Sequence, residues 1–118
     1  MKLQDAYVAE SGAYFGNWDK IGYTGPGAKQ TDGTFKTSQF TYADPATGYN
    51  QGTKDLPTSA TVTWQASNVA KLNDCAIGDN WQLKISKASG NTNGEYKWSV
   101  NNPSTCSVLT PSFSNFAN

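Results

Sequence analysis

Acid–base and nucleophilic catalysis lean most often on histidine, and this chain of 118 residues has none. The nearest carboxylate pairs are Asp74 with Asp79 and Asp5 with Glu10, and nothing around either marks it as the tuned pair that cuts glycosidic bonds. Gly25-Pro26-Gly27 and the stretch from Gly90 to Gly94 lack the G-x-x-x-x-G-K-[ST] spacing of a phosphate cradle. The expectation is a protein that is not an enzyme. Two other sets say more. Cys75 and Cys106 stand 31 positions apart, without the spacing of a redox or zinc motif and with no histidine to complete a metal set. A disulfide is the simplest reading, ahead of two buried thiols, and closing such a loop contributes roughly 3–4 kcal/mol. Asn73, Asp74, Asp79 and Asn80 crowd into Asn73-Asp74-Cys75-Ala76-Ile77-Gly78-Asp79-Asn80, offering the oxygen donors that a hard cation such as calcium takes. The EF-hand spacing is missing, however, and a turn whose Asn and Asp side chains cap the backbone is the simpler account.

Aromatic side chains are the third set, because sugars stack on flat exposed rings. Trp64, Trp81 and Trp98 fall on the apolar faces of alternating stretches and read as core, and Trp18 joins them. Tyr49, beside Asn50 and Gln51, is the best candidate for an exposed ring. A carbohydrate-binding module, with a polysaccharide or other surface ligand, is therefore the main alternative function. Nucleic acid is a poor default partner. Net charge is +0, lysines are spread along the chain, and arginine, the usual bidentate reader of phosphate and guanine, is absent.

Charged residues make up 15% of the chain against ~25% in an average soluble protein. Thr, Ser, Asn, Gln and Gly take their place, which suits an extracellular β-rich surface. An aromatic content of 13% is too costly to leave solvated, so disorder is excluded. The disulfide reading also places the domain in an oxidising compartment. Yet Met1-Lys2-Leu3-Gln4-Asp5 has no apolar core of signal-peptide length, and no run of ~20 apolar residues occurs. The expectation is a targeting segment upstream of Met1.

The elements that must position these residues emerge from periodicity. Residues 2–11 carry a helical pattern in which Leu3, Ala6 and Tyr7 form a narrow apolar stripe; Gly12 stops it. No N-cap precedes it, as in a longer helix cut in its middle. Residues 13–33 read as a loop, with a helical turn under Asn17 and an end at Gly25-Pro26-Gly27. From residue 34 the period becomes two. Phe40 and Tyr42, then Ala60, Val62, Trp64 and Ala66, then Trp81, Leu83 and Ile85, then Tyr96, Trp98 and Val100 alternate with polar residues, as in an antiparallel sheet with one dry and one wet face. Asn93-Gly94 signals a hairpin turn, and Pro103 ends the last strand. In the tail, Leu109 and Phe113 either pin the terminus onto the sheet or make a contact between subunits. One domain spans residues 1–118: helix 1–12, loop 13–33, sheet 34–102 and tail 103–118. The expected fold is α+β, an N-terminal helix packed on a single antiparallel sheet of about four strands, with Leu3, Ala6, Tyr7, Trp64, Trp81 and Trp98 at the helix–sheet core.

Lys2-Leu3-Gln4-Asp5-Ala6-Tyr7-Val8-Ala9-Glu10-Ser11-Gly12-Ala13-Tyr14 resembles the end of the long helix of type IV pilins, where an Ala-Tyr-x-Ala-Glu-x-Gly-x-Tyr phrase recurs. Trp18 to Tyr23, with its Ile-Gly-Tyr ending, is similar to the segment after that helix in some pilins and pseudopilins, and Cys75 and Cys106 resemble the pair that brackets the pilin C-terminal region. The resemblance covers most of the chain as an architecture and about 22 residues as sequence. It implies a disulfide-bracketed C-terminal region, and a precursor held in the bacterial inner membrane by an apolar helix half missing here. A prepilin peptidase would trim that precursor, which would assemble with other pilin subunits into an extracellular filament serving adhesion, motility or DNA uptake. A pseudopilin of a type II secretion system, some of which hold calcium in a C-terminal loop, is the related alternative.

Overall fold

The computed structural model describes residues 2–12, 14–88 and 95–117. Chain order runs α1 (Lys2–Ser11), β1 (Tyr14–Gly16), α2 (Trp18–Ile21), β2 (Ala28–Lys29), β3 (Phe35–Lys36), β4 (Phe40–Ala43), β5 (Thr53–Asp55), β6 (Thr61–Asn68), β7 (Gly78–Lys87), β8 (Tyr96–Asn101), α3 (Ser104–Ser107) and a 3-10 turn at Phe113–Phe116. The four stretches of alternating residues become β4, β6, β7 and β8, which lie side by side. Two-residue β3 and β2 extend them at the β4 edge, so the antiparallel sheet has six strands in the order β2-β3-β4-β6-β7-β8. A second sheet pairs β1 with β5. The fold is thus a mixed helix-and-sheet one with a larger sheet than the sequence indicates. The expected turn at Asn93-Gly94 lies outside the described residues, but the pairing of β7 with β8 begins at Lys87 and Tyr96 on either side of it.

Cross-strand partners share a face, so the register assigns the two faces. Trp81 sits opposite Ala66, Leu83 opposite Trp64 and Val100, and Ile85 opposite Trp98. These side chains, with Phe40 and Tyr42, form the dry face. Gln65, Gln82 and Asn101 line the wet face, where the Asn101 amide donates to Gln82 at 3.0 Å and the Gln82 amide to Gln65 at 3.1 Å. One alternation fails. A register shift between Val62 and Trp64 puts Val62 opposite Lys84, on the wet face, and buries Thr63. A bulge sets two residues of one strand against one of its partner and takes the extra residue out of the ladder. The carbonyl of Thr63 instead accepts the Trp18 indole N–H at 3.0 Å.

The helix is where apolar periodicity misleads most. Leu3 is 45% exposed and Ala6 is exposed, whereas Gln4 and Val8 are buried; Tyr7 is half-buried, its ring against Gly16. The stripe of Leu3, Ala6 and Tyr7 is therefore not the buried face. The reason is that α1 packs chiefly on β1 and α2 and not across the sheet. There Gln4 donates to the carbonyl of Gly16 at 2.8 Å and accepts its N–H at 2.9 Å, replacing a strand partner with one side-chain amide. Asp5 then reaches the sheet at its β8 edge. Helix α1 ends at Ser11 before Gly12, whose φ of +85° suits only glycine well. Asn17 caps α2 as expected, accepting from Lys20 N–H at 2.9 Å. Gly22, with φ +75°, ends α2 before Gly25-Pro26-Gly27 is reached.

The dry face is consequently covered by several pieces. Val8 of α1, Phe15 of β1, Leu56, the disulfide and Phe113 of the tail all pack into one core with Trp81, Leu83, Ile85 and Trp98. Trp64 is half-buried, its ring 5.9 Å from Tyr42 and 6.1 Å from Phe113. Of the two alternatives for the tail, Phe113 takes the first and packs into the core, whereas Leu109 remains 38% exposed.

Candidate functional site

Cys75 and Cys106 form a disulfide, with Cα atoms 4.7 Å apart. Both are buried, at 0% and 1% exposure, and the bond ties the segment between β6 and β7 to α3. Beneath it lies a knot that sequence reasoning missed. Asn68, 1% exposed, donates from one amide nitrogen to the carbonyls of Ala70 and Ala76 at 3.0 Å and Cys75 at 3.3 Å. It also accepts from Asn80 at 2.7 Å. The signal was an amide continuing the apolar face of β6, where a polar residue must find partners or incur a large desolvation cost.

The four oxygen-bearing residues of this segment have separate duties. Asn80 donates to the Ala76 carbonyl at 2.6 Å and to Asn68, Asp79 accepts from the Ser67 hydroxyl, and Asn73 adopts φ +54° at the turn. Asp74 is exposed. Among the described residues no three His, Cys, Asp or Glu side chains gather closely enough to hold a metal ion. The capped-turn account fits these contacts.

Helix α1 is attached to the sheet by Asp5, one oxygen of which accepts from the Tyr96 hydroxyl at 2.7 Å and the Trp98 indole at 2.9 Å. Burial, with Asp5 beside it, pushes the Tyr96 phenol up to about 12. Between α1, α2, the dry face and the tail runs an apolar groove of about 390 Å³, walled by Leu3, Ile21, Trp64, Leu83, Phe113 and Phe116. The Trp64 indole donates to the Tyr23 hydroxyl at 3.1 Å on its wall. No helix among the described residues is long and apolar enough to cross a membrane.

The long loop between β4 and β5 is organised differently. Tyr49, the ring expected to be exposed, is half-buried and packs edge-on to Phe15, centroids 5.7 Å apart. Its hydroxyl donates to Asp44 at 2.7 Å, and the same carboxylate accepts the Ala46 N–H at 3.1 Å. Burial raises the Asp44 carboxyl from 3.8 to about 6 despite these two bonds, which pull it down. Burial and the adjoining carboxylate both push the Tyr49 phenol up. The exposed ring of this region is Tyr14, at 43%. It stands in an open cleft of about 570 Å³ with Asn50, Thr53, Lys54, Asp55 and Pro57.

Comparison with known proteins finds no family, no curated protein and no solved structure that matches the chain.

Proposed function

We propose that this domain is the water-exposed head of a type IV pilin-like subunit, a structural building block of a cell-surface filament and not an enzyme. The observation that carries the reading is the order of parts around the disulfide. A helix opens the chain, a loop with its own short elements comes second, an antiparallel sheet third, and Cys75–Cys106 ties the segment after a long strand to the tail. The phrase from Lys2 to Tyr14 adds the local likeness, and the outward Leu3 and Ala6 leave an apolar strip on α1 for neighbouring subunits to cover. A buried disulfide supports residence outside the cytoplasm. In this reading the partners are other subunits in a helical filament, and the precursor is held in the inner membrane by an apolar helix joined to α1. Adhesion, motility and DNA uptake are the outputs such a filament serves.

The test is to shear surface filaments from the cells that make this chain and to sequence the subunit recognised by antibody against the head. The expected subunit carries ~20 apolar residues directly before the α1 segment and is oxidised at both cysteines. A secreted monomer without that apolar segment would overturn the proposal.

A further inference from the structure

Strand pairing builds the cleft beside β1. Tyr14 and Asp55 face each other across the β1–β5 pair, so the ring and the carboxylate leave the ribbon on one side, while Phe15, the next residue, is fully buried. The approach to β5 is fixed by a tight turn in which Asn50 and Thr53 exchange backbone bonds at 2.8 and 3.1 Å. Its two central residues, Gln51 and Gly52, take φ of +53° and +82°. Such a turn matches the twist of paired strands but is strained at a non-glycine residue, and strain of this kind concentrates where a side chain must be held for a purpose. Here it sets Asn50 at the cleft's rim.

Three cavities can be compared by the state of their polar atoms. The groove at Trp64 and Phe113 is apolar, and its tyrosine hydroxyl is engaged. In the pocket beside α2, Asp32 accepts from Thr34, Asp44 from Tyr49, and Asn17 from Lys20. In the Tyr14 cleft, the Tyr14 hydroxyl, the Asn50 amide and the Asp55 carboxylate have no protein partner among the described residues. The Lys54 ammonium uses one bond, to the Thr47 carbonyl at 2.7 Å, and so keeps donors to spare.

An exposed ring ringed by unspent donors and acceptors is the arrangement that recognises a pyranose, whose C–H face is apolar and whose edge carries hydroxyls able both to donate and to accept. We infer that the Tyr14–Asn50–Asp55 cleft binds a neutral sugar chain, the pyranose stacking on Tyr14 and its hydroxyls bridging the Asp55 carboxylate and the Asn50 amide. Asp55 disfavours a polyanion, and Lys54 offsets its charge toward a neutral ligand. The cleft belongs to the head alone, so this inference does not rest on the filament reading.

The test is an NMR titration of the full chain with cellohexaose, and with hexagalacturonate as the polyanionic counter-probe, which should give no saturable shifts. Saturable shifts of the Tyr14, Asn50 and Asp55 amides are expected with cellohexaose, at a dissociation constant on the order of 1 mM. Tyr14→Ala should weaken binding by about tenfold or more, Asp55→Asn by about threefold, and Tyr14→Phe by less than either. Phe116→Ala, in the apolar groove, should change nothing. All three sites are on the surface, and an unchanged spectrum away from each substitution reports that the variant is folded. Absence of saturable shifts, shifts centred on Trp64 and Phe116, or cellohexaose binding that survives Tyr14→Ala would each overturn the inference.

Discussion

Two long segments leave the main sheet, one returning to it at β7 and the other passing to β5 of the second sheet, and they are fastened by opposite means. The segment between β6 and β7 is held by a covalent bond and by neutral amides: Cys75–Cys106 outside, and Asn68 with Asn80 within. The loop between β4 and β5 is held by Asp44 and Tyr49, an ionisable pair, together with the packing of Tyr49 on Phe15. Neutral amides do not titrate, so acid leaves the first fastening intact and reductant attacks it. The second responds to protons and is indifferent to reductant. The disulfide-tied segment therefore stays fixed as pH changes, while the loop carrying Asn50 can adjust.

The largest effect expected is loss of the covalent fastening. Cys75→Ser with Cys106→Ser, or reduction of the native bond, should destabilise the domain by roughly 3–4 kcal/mol, the entropy of an unfolded loop of this span. Urea denaturation of oxidised and reduced protein measures it, and the loss should be the same at pH 5 and pH 8. A loss that varied strongly with pH would remove the distinction between the two regions. Next in size is Asn68→Ala, which removes the buried amide that donates to the Ala70, Cys75 and Ala76 carbonyls and accepts from Asn80; the Leu72 N–H still serves Cys75 and the Asn80 amide still serves Ala76, so the cost should be about 2 kcal/mol. Because the amide and the disulfide brace one segment, the two losses should add to less than their sum when combined.

Much of the fold is legible in the sequence, for reasons that differ by element. Trp81, Leu83 and Ile85 alternate over a strand long enough for period two to declare itself, and the cap at Asn17 rests on a contact three residues away. Strands β2 and β3 are two residues each, too short to carry a period. The bulge at Thr63 is a tertiary event, tied to an indole in a distant helix. The buried face of α1 escapes the pattern because an apolar count cannot see that Gln4 fills the place of a strand. Asn68 is readable as an amide on an apolar face. The Tyr14 cleft is not, since it depends on which residue pairs with Asp55, whereas Tyr49 looks exposed only until Asp44 and Phe15 are found beside it.

The third effect separates the regions by pH. The carboxyl of Asp44 is raised from 3.8 to about 6 in the fold, so the folded state binds this proton more tightly than the unfolded state. Its contribution is fully present below about pH 4 and falls as pH rises through about 6, after which it is level; the amplitude is about 1–2 kcal/mol once solvent screening is allowed for. Asp44→Asn should flatten this part of the stability profile. Tyr49→Phe, by removing a bond to the ionised form, should move its midpoint upward. A profile whose slope in this window survives Asp44→Asn would assign the titration elsewhere. Asp32, held below the ordinary carboxylate range by its bonds from Thr34, acts at lower pH and with the opposite sign, so the two are separable.

The smallest effect tests whether the disulfide segment has any affinity for a cation. A calcium site needs several oxygens converging on one point. Asp79 faces Ser67, Asn80 is turned toward Asn68 and the Ala76 carbonyl, and Asn73 serves the turn, which leaves Asp74 without the company a chelate requires. A lone exposed carboxylate binding with a dissociation constant of about 10 mM would gain under about 0.1 kcal/mol from about 1 mM calcium, too little to register in a melting curve. Melting the oxidised protein with calcium and with chelator should therefore give superimposable transitions. A rise of about 4 °C or more, equivalent to about 1 kcal/mol for a domain of this size, would mean that these side chains can abandon their present partners. The segment would then be a ligand-organised loop, and the contrast with the proton-sensitive loop between β4 and β5 would be one of ligand and not of kind.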